Sequence, residues 1–380
     1  MIPMQIHELF DRDPRTARLA NDGQAQIRAQ VDERATAELR AELETFVCGG
    51  QFEDAIQRIL DRYLPNLGAT RQESAWVSGF FGSGKSHLLK MLAHLWVNTT
   101  FDDGSTARSL PRGGLPDEIE AQLRELDTQA TRLGKPAVAA AGTLLGGNDR
   151  VRETVLSILL RARDWPEQYP QAKFCFWLRE QGHLAAVRSA VEGAGREWLR
   201  ELNDLYVSPV IARALVQAVP DFAVNEKEAR QVLLQQFPQL TSDITTAQFV
   251  EAAKQALSDD KDLPLTLLVL DEVQQYINEA TDRATTITEV AEALQTQFGS
   301  RIVLVGAGQS ALSGGTPALM WLRDRFRITV ELTDADVEAV TREVLLRKKP
   351  STVPDIEEML EQNSGEVARH LRGTKIGDRP

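Results

Sequence analysis

The chain has 380 residues, 42% of them hydrophobic and 26% charged, a composition able to bury a large core across two or three domains. No run approaches about 18 consecutive apolar residues, and Met1 to Glu8 lack a basic segment followed by an apolar one, so secretion and membrane spanning are not expected. A formal net charge of −12 argues against a surface that grips nucleic acid throughout, while leaving a local basic channel open.

Cys48 and Cys175 lie far apart in apolar surroundings and read as buried thiols of a reducing, cytoplasmic compartment. His7, His87, His94, His183 and His370 form no metal-ligand spacing with them, so no zinc site is expected.

The first seventy residues read as amphipathic helix. From Asp32, the residues Leu39, Leu43, Phe46 and Val47 share one face; Ala55, Ile56, Ile59, Leu60 and Tyr63 continue it beyond Gly49-Gly50. Pro65 to Gly68 ends that run. A short apolar strand, Ala75 to Ser78, then leads into Gly79-Phe80-Phe81-Gly82-Ser83-Gly84-Lys85-Ser86.

That octet is G-x-x-x-x-G-K-S, the phosphate-binding P-loop pattern. Its glycines let the backbone wrap a polyphosphate with N–H groups turned inward. Lys85 would reach the β- and γ-phosphates of ATP, and the Ser86 hydroxyl would take one position on Mg²⁺. Leu88, Leu89, Leu92 and Leu95 recur at helical spacing, so a helix N-terminus would face the phosphates. The competing reading is a chance match in a glycine-containing loop.

A loop from Thr99 to Pro116 follows, then a predicted helix from Asp117 to about Leu133. Pro136 to Thr143 fits a short buried parallel strand. Helical periodicity dominates from Gly146 to about Lys261, punctuated by Pro166, Pro170, Pro209, Pro220 and Pro238. Trp165, Trp177 and Trp198 in this stretch read as core anchors in preference to a base-stacking surface. Two continuous apolar runs, Leu265 to Leu270 and Arg301 to Val305, predict central parallel strands with a helix from about Ile287 to Phe298 between them. After a strand at Ile328 to Leu332, Thr333 or Asp334 would cap a helix to about Leu346, and Asp355 begins another.

Hydrolysis needs acidic groups beside the phosphates, and Asp271-Glu272 at the end of the first apolar run supplies them. Asp271 would accept a hydrogen bond from Mg²⁺-bound water, and Glu272 would act as general base on the attacking water. An acidic helix cap is the competing reading. After the next strand, Gln309, with Ser310 in reserve, would position that water; a plain turn residue is the alternative. Arg325, with Arg323 in reserve, precedes the last strand and would enter a neighbouring subunit's site. The alternative is surface ion pairing among Arg323, Asp324, Arg325 and Glu331. Arg347, Lys348 and Lys349 form a cationic run that reads as a solvated face.

This order of parts resembles an AAA+ ATPase: an α/β fold with a P-loop parallel sheet flanked by helices. The long interval from Lys85 to Asp271 implies a large helical insertion. The expected divisions are an N-terminal helical region at 1–70, two parts of the ATPase core at 71–145 and 263–332, the insertion at 146–262, and an incomplete helical lid at 333–380. Several longer strings are more specific: Glu44 to Cys48, Trp76 to Leu92, Ala139 to Leu144, Pro166 to Pro170 and Val269 to Ile277. Over essentially the whole chain they are similar to the BREX-system P-loop proteins, the BrxC/PglY family of bacterial phage-defence ATPases.

The resemblance implies an ATP-hydrolysing, oligomeric subunit of a multi-protein system that methylates host DNA and excludes phage. It implies partners among the other BREX proteins, including a methyltransferase and a phosphatase-like component, with DNA reached through the complex. Members of that family are usually much longer, so the chain reads as an N-terminal ATPase portion. Arg369, within Gly365 to Arg369, is the candidate for a lid-borne phosphate sensor. Two other readings stand beside this one: a P-loop ATPase with another client, such as a helicase-loader-like protein, and a scaffold that nucleotide merely orders.

Overall fold

The computed structural model describes residues 6–11, 13, 33–146, 149–219, 221–258, 262–313, 316–333 and 346–371. The chain divides into two compact units, residues 21–333 and the pair of terminal segments 1–20 and 334–380.

In the larger unit, α1 (Glu33–Thr45) and α2 (Gly50–Tyr63) precede β1 (Ser74–Gly79), and α3 (Lys85–Val97) and α4 (Asp117–Arg132) precede β2 (Val138–Thr143). Among the described residues, seven helices follow: α5 (Val151–Arg161), α6 (Tyr169–Glu180), α7 (Leu184–Gly193), α8 (Trp198–Leu202), α9 (Pro209–Ala218), α10 (Glu226–Gln236) and α11 (Thr246–Leu257). Then come β3 (Thr266–Asp271), α12 (Val273–Ile277), α13 (Thr281–Gln297), β4 (Ile302–Gly308), α14 (Pro317–Met320) and β5 (Phe326–Leu332).

The five strands form one sheet in the order β2-β3-β4-β1-β5, with every pairing parallel. It is an α/β fold with helices on both faces, as the continuous apolar runs require. Alternate residues serve opposite cores. Ala75, Val77, Leu267, Val269, Val303 and Val305 join α1 to α4 on one face. Trp76, Ala140, Leu268, Leu270, Ile302 and Leu304 meet α5, α11 and α13 on the other.

α3 is buried nearly all round, because the sheet covers one side and α1, α2 and α4 the rest. Each of its buried leucines contributes roughly 1.5–3 kcal/mol. Within the stretch 146–262, α5 and α11 lie against the sheet. Phe174, Leu178, Val191, Trp198, Leu215 and Phe237, from α6 to α10 and the end of α10, form a core of their own. Trp165 and Trp177 are partly buried against these clusters, and Trp198 is buried within one.

β5 is an edge strand. Phe326, Ile328, Val330 and Leu332 are buried while Arg327, Thr329 and Glu331 between them are exposed.

In the smaller unit, Ile6–Leu9 forms a 3₁₀ turn and Phe10 makes an antiparallel bridge with Lys348. The Asp11 N–H donates to the Arg347 carbonyl at 2.8 Å, and the Lys349 N–H to that of Leu9 at 2.9 Å. The cationic run is therefore a paired backbone segment, not only a solvated face. Helices α15 (Val353–Gln362) and α16 (Ser364–Leu371) follow. The helix expected from Thr333 or Asp334 lies over residues 334–345, outside the described residues. Among the described residues, no helix is long and apolar enough to cross a membrane.

Candidate functional site

The topology itself marks one end of the sheet. From β1 the chain leaves over the α3 face toward β2. From the adjacent β4 it leaves over the opposite face, past β1, to β5. A crevice opens beyond the carboxyl ends of two strands that diverge in this way. A cavity of about 290 Å³ lies there, lined among others by Gly82, Lys85, Ser86, Asp271, Glu272 and Gln309.

The loop over residues 80–84 joins β1 to α3. Gly82 and Gly84 both have left-handed backbones, with φ of 90° and 87°. At Gly84 a side chain is excluded twice over: the conformation disfavours it, and a Cβ would sit 2.8 Å from the Phe52 ring. Phe52 belongs to α2, so the N-terminal helices pack directly on this loop. Phe80 is half-exposed and Phe81 is 88% exposed at the rim. Ser83 Oγ is buried with no hydrogen-bond partner among the described residues.

Lys85 and Ser86 open α3, where the first N–H groups have no intrahelical partner. Lys85 Nζ donates to the carbonyls of Gly79 at 2.6 Å and Phe80 at 2.9 Å. Burial pulls its pKa below the usual lysine value, while the nearby Asp271 charge acts the other way.

Asp271 ends β3 and is only 4% exposed; its Oδ1 accepts the Glu272 N–H at 2.8 Å. Glu272 takes φ 56° and ψ 27°, a left-handed conformation that a residue with a Cβ adopts at a cost of about 1 kcal/mol or more. This turn breaks the chain out of β3 into α12 and leaves the carboxylate beside β2. There Thr143 Oγ1 donates to Glu272 Oε2 at 3.3 Å.

Gln309 follows β4 directly and is exposed at the cavity rim. Its backbone N–H and that of Ser310 both donate to Gln274 Oε1, at 2.6 and 2.8 Å. Trp76 of β1 braces the same turn, with Nε1 donating to the Ser310 carbonyl at 3.0 Å.

No protein-family model matches the chain. The site's geometry is one cation, one hydroxyl and two carboxylates around a cavity at a helix N-terminus. Such a donor set suits a polyphosphate with a hard divalent cation, since that ion takes oxygen ligands and keeps several waters.

Arg323 and Arg325 do not line this cavity. Arg325 precedes Phe326, which pairs with Ser74 at the amino end of β1, the end of the sheet away from the glycine-rich loop. Its guanidinium pairs with Glu292 of α13 at 2.7 Å, not with Asp324 or Glu331. Arg323 is exposed and lines a second groove of about 560 Å³ with Arg58, Arg327 and Glu331. Arg369 lies in α16 of the smaller unit, 3.5 Å from Glu366.

Thr143, Gln274 and Trp76 carry no motif of their own. In the sequence they stand only inside the longer strings Trp76 to Leu92, Ala139 to Leu144 and Val269 to Ile277, with no role of their own, and strand register and the turn at Glu272 bring them to the site.

Proposed function

We propose that the chain is a P-loop ATPase of the AAA+ type that binds ATP with Mg²⁺ in the 290 Å³ cavity and hydrolyses it. The observation that carries this reading is the meeting of Lys85, Ser86, Asp271 and Glu272, from two distant parts of the chain, around one cavity.

A polyphosphate in the loop would draw Lys85 Nζ from the Gly79 and Phe80 carbonyls onto phosphate oxygens, exchanging neutral acceptors for charged ones. Ser86 and Asp271 would hold Mg²⁺, the hydroxyl directly and the carboxylate through water, and the ion would neutralise charge on the phosphates. Glu272 would take the proton of the attacking water. Gln309 would orient that water. Arg323 or Arg325 of a neighbouring subunit would stabilise the transferring phosphoryl group, and Arg323 suits this better because Arg325 is engaged with Glu292.

The further reading is a cytoplasmic, oligomeric subunit of a BREX phage-defence complex, working beside a methyltransferase and a phosphatase-like component and reaching DNA through them. Its support is the family-like strings around the glycine-rich loop and Asp271-Glu272. The Arg325–Glu292 pair favours the second reading, a P-loop ATPase that acts alone for another client.

ATP titration of Lys85→Ala tests the binding step. An affinity loss of at least tenfold, about 1.4 kcal/mol, is expected; unchanged affinity in a folded variant contradicts the assignment.

A further inference from the structure

We infer that Gln274 is a positioning residue that ties the acidic end of β3 to the tip of β4 and so sets where Gln309 stands. The inference rests on the ATPase reading and adds a residue to it. Gln274 Oε1 accepts two backbone N–H groups, from Gln309 at 2.6 Å and Ser310 at 2.8 Å, and its Nε2 donates to Ser310 Oγ at 3.3 Å. One side chain thereby satisfies two successive backbone donors that β4 leaves when it ends.

Three features converge to make the contact possible. The left-handed turn at Glu272 starts α12 so that the second residue of that helix faces β4. Gly308 has no Cβ; one there would lie 2.9 Å from Gln274 Oε1 and 2.3 Å from Trp76 Cζ2. Trp76 Nε1 holds the Ser310 carbonyl from the other side at 3.0 Å. The β4 tip is thus clamped between the strand that leads into the glycine-rich loop and the segment that carries Asp271 and Glu272. Among the described residues, no other side chain hydrogen-bonds the Gln309 backbone.

A clamp of this kind acts on the orientation of a reacting water more than on nucleotide affinity, because phosphate contacts come from the loop and α3. Leucine at 274 keeps the volume and removes the acceptor. Glutamate keeps an acceptor oxygen for both N–H groups.

The test measures ATP affinity, kcat and Tm for the full chain as wild type, Gln274→Leu, Gln274→Glu, Gln309→Ala and the Gln274→Leu/Gln309→Ala double variant. Gln274→Leu should lower kcat about tenfold with ATP affinity within about twofold, and Gln274→Glu should recover most of the rate. The double variant should be no slower than Gln309→Ala alone, within about twofold, since the two residues act as one unit. If Gln274→Leu does not fold, Gln274→Met carries the same expectations.

An unchanged kcat, a loss that Gln274→Glu does not rescue, or multiplicative losses in the double variant overturns the inference while leaving the ATPase reading intact. A wild type that binds ATP yet never turns it over overturns both.

Discussion

Thr143 and Glu272 meet across the parallel pair of β2 and β3: Thr143 is the register partner of Asp271, and its Oγ1 donates to Glu272 Oε2 at 3.3 Å. The same hydroxyl accepts the Leu145 N–H at 3.1 Å, which fixes its rotor toward the carboxylate. The glutamate is therefore aimed by a neighbouring strand as well as by its own strained backbone. Thr143→Val keeps the shape and removes the donor. Turnover should fall severalfold, on the order of 1 kcal/mol in barrier, with ATP affinity unchanged. Single-turnover kinetics check this, and an unaltered rate means the backbone alone aims Glu272.

Buried histidines make stability depend on pH. His94 in α3 is buried, and burial first, then the charge of Lys90, lowers its pKa from 6.5 to about 4. Lys90 is itself paired with the buried Glu42 at 2.7 Å. Between pH 6.5 and about 4 the unfolded chain takes up a proton that the folded imidazole refuses, so stability falls as pH falls. His94 alone contributes up to about 3 kcal/mol to that loss. Denaturant unfolding at pH 7.5 and pH 4.5 should show His94→Gln with a smaller pH-dependent drop than wild type; an equal drop assigns the effect to other groups.

The two arginines should separate. Arg325→Ala removes a partly exposed pair with Glu292, so it should cost about 0.5–1 kcal/mol of stability and leave ATP binding intact. Arg323→Ala should leave stability unchanged and remove most hydrolysis at concentrations where subunits associate. Mixing Arg323→Ala with Lys85→Ala protein should then restore part of the activity. Hydrolysis per subunit that stays constant across a wide dilution range means that no neighbour is needed.

Metal dependence should track Asp271. Chelating divalent ions should weaken ATP binding by the wild type, and Asp271→Asn should lose most of that difference. Calorimetric titration with and without Mg²⁺ reads it directly. Equal Mg²⁺ dependence in both proteins removes Asp271 from the ion's surroundings.

The parts of this molecule that announce themselves locally were legible. The runs at Leu265–Leu270 and Arg301–Val305 became β3 and β4, and the leucines after Ser86 became α3. Helix α13 begins at Thr281 although periodicity suggested about Ile287, because its first turns are polar. There Thr285 and Thr286 donate to the carbonyls of Thr281 and Asp282, and only the small Ala284 is buried before Ile287, so no apolar periodicity marks the helix start. Lys85, Asp271 and Glu272 were legible as motif residues. Thr143 and Gln274 were not, since register and a left-handed turn decide what they touch. The Glu292 partner of Arg325 was hidden for a similar reason: it comes from the helix packed beside the start of β5.

The most direct measurement compares Glu272→Gln with the wild type in ATP binding and in steady-state hydrolysis. Glutamine keeps the shape and the Thr143 contact but removes the base. The expected result is ATP affinity within about twofold of wild type and turnover lower by about 10²-fold or more. Hydrolysis at the wild-type rate in a folded Glu272→Gln protein would contradict the account, because the carboxylate that β3 delivers to the cavity would then have no part in the chemistry.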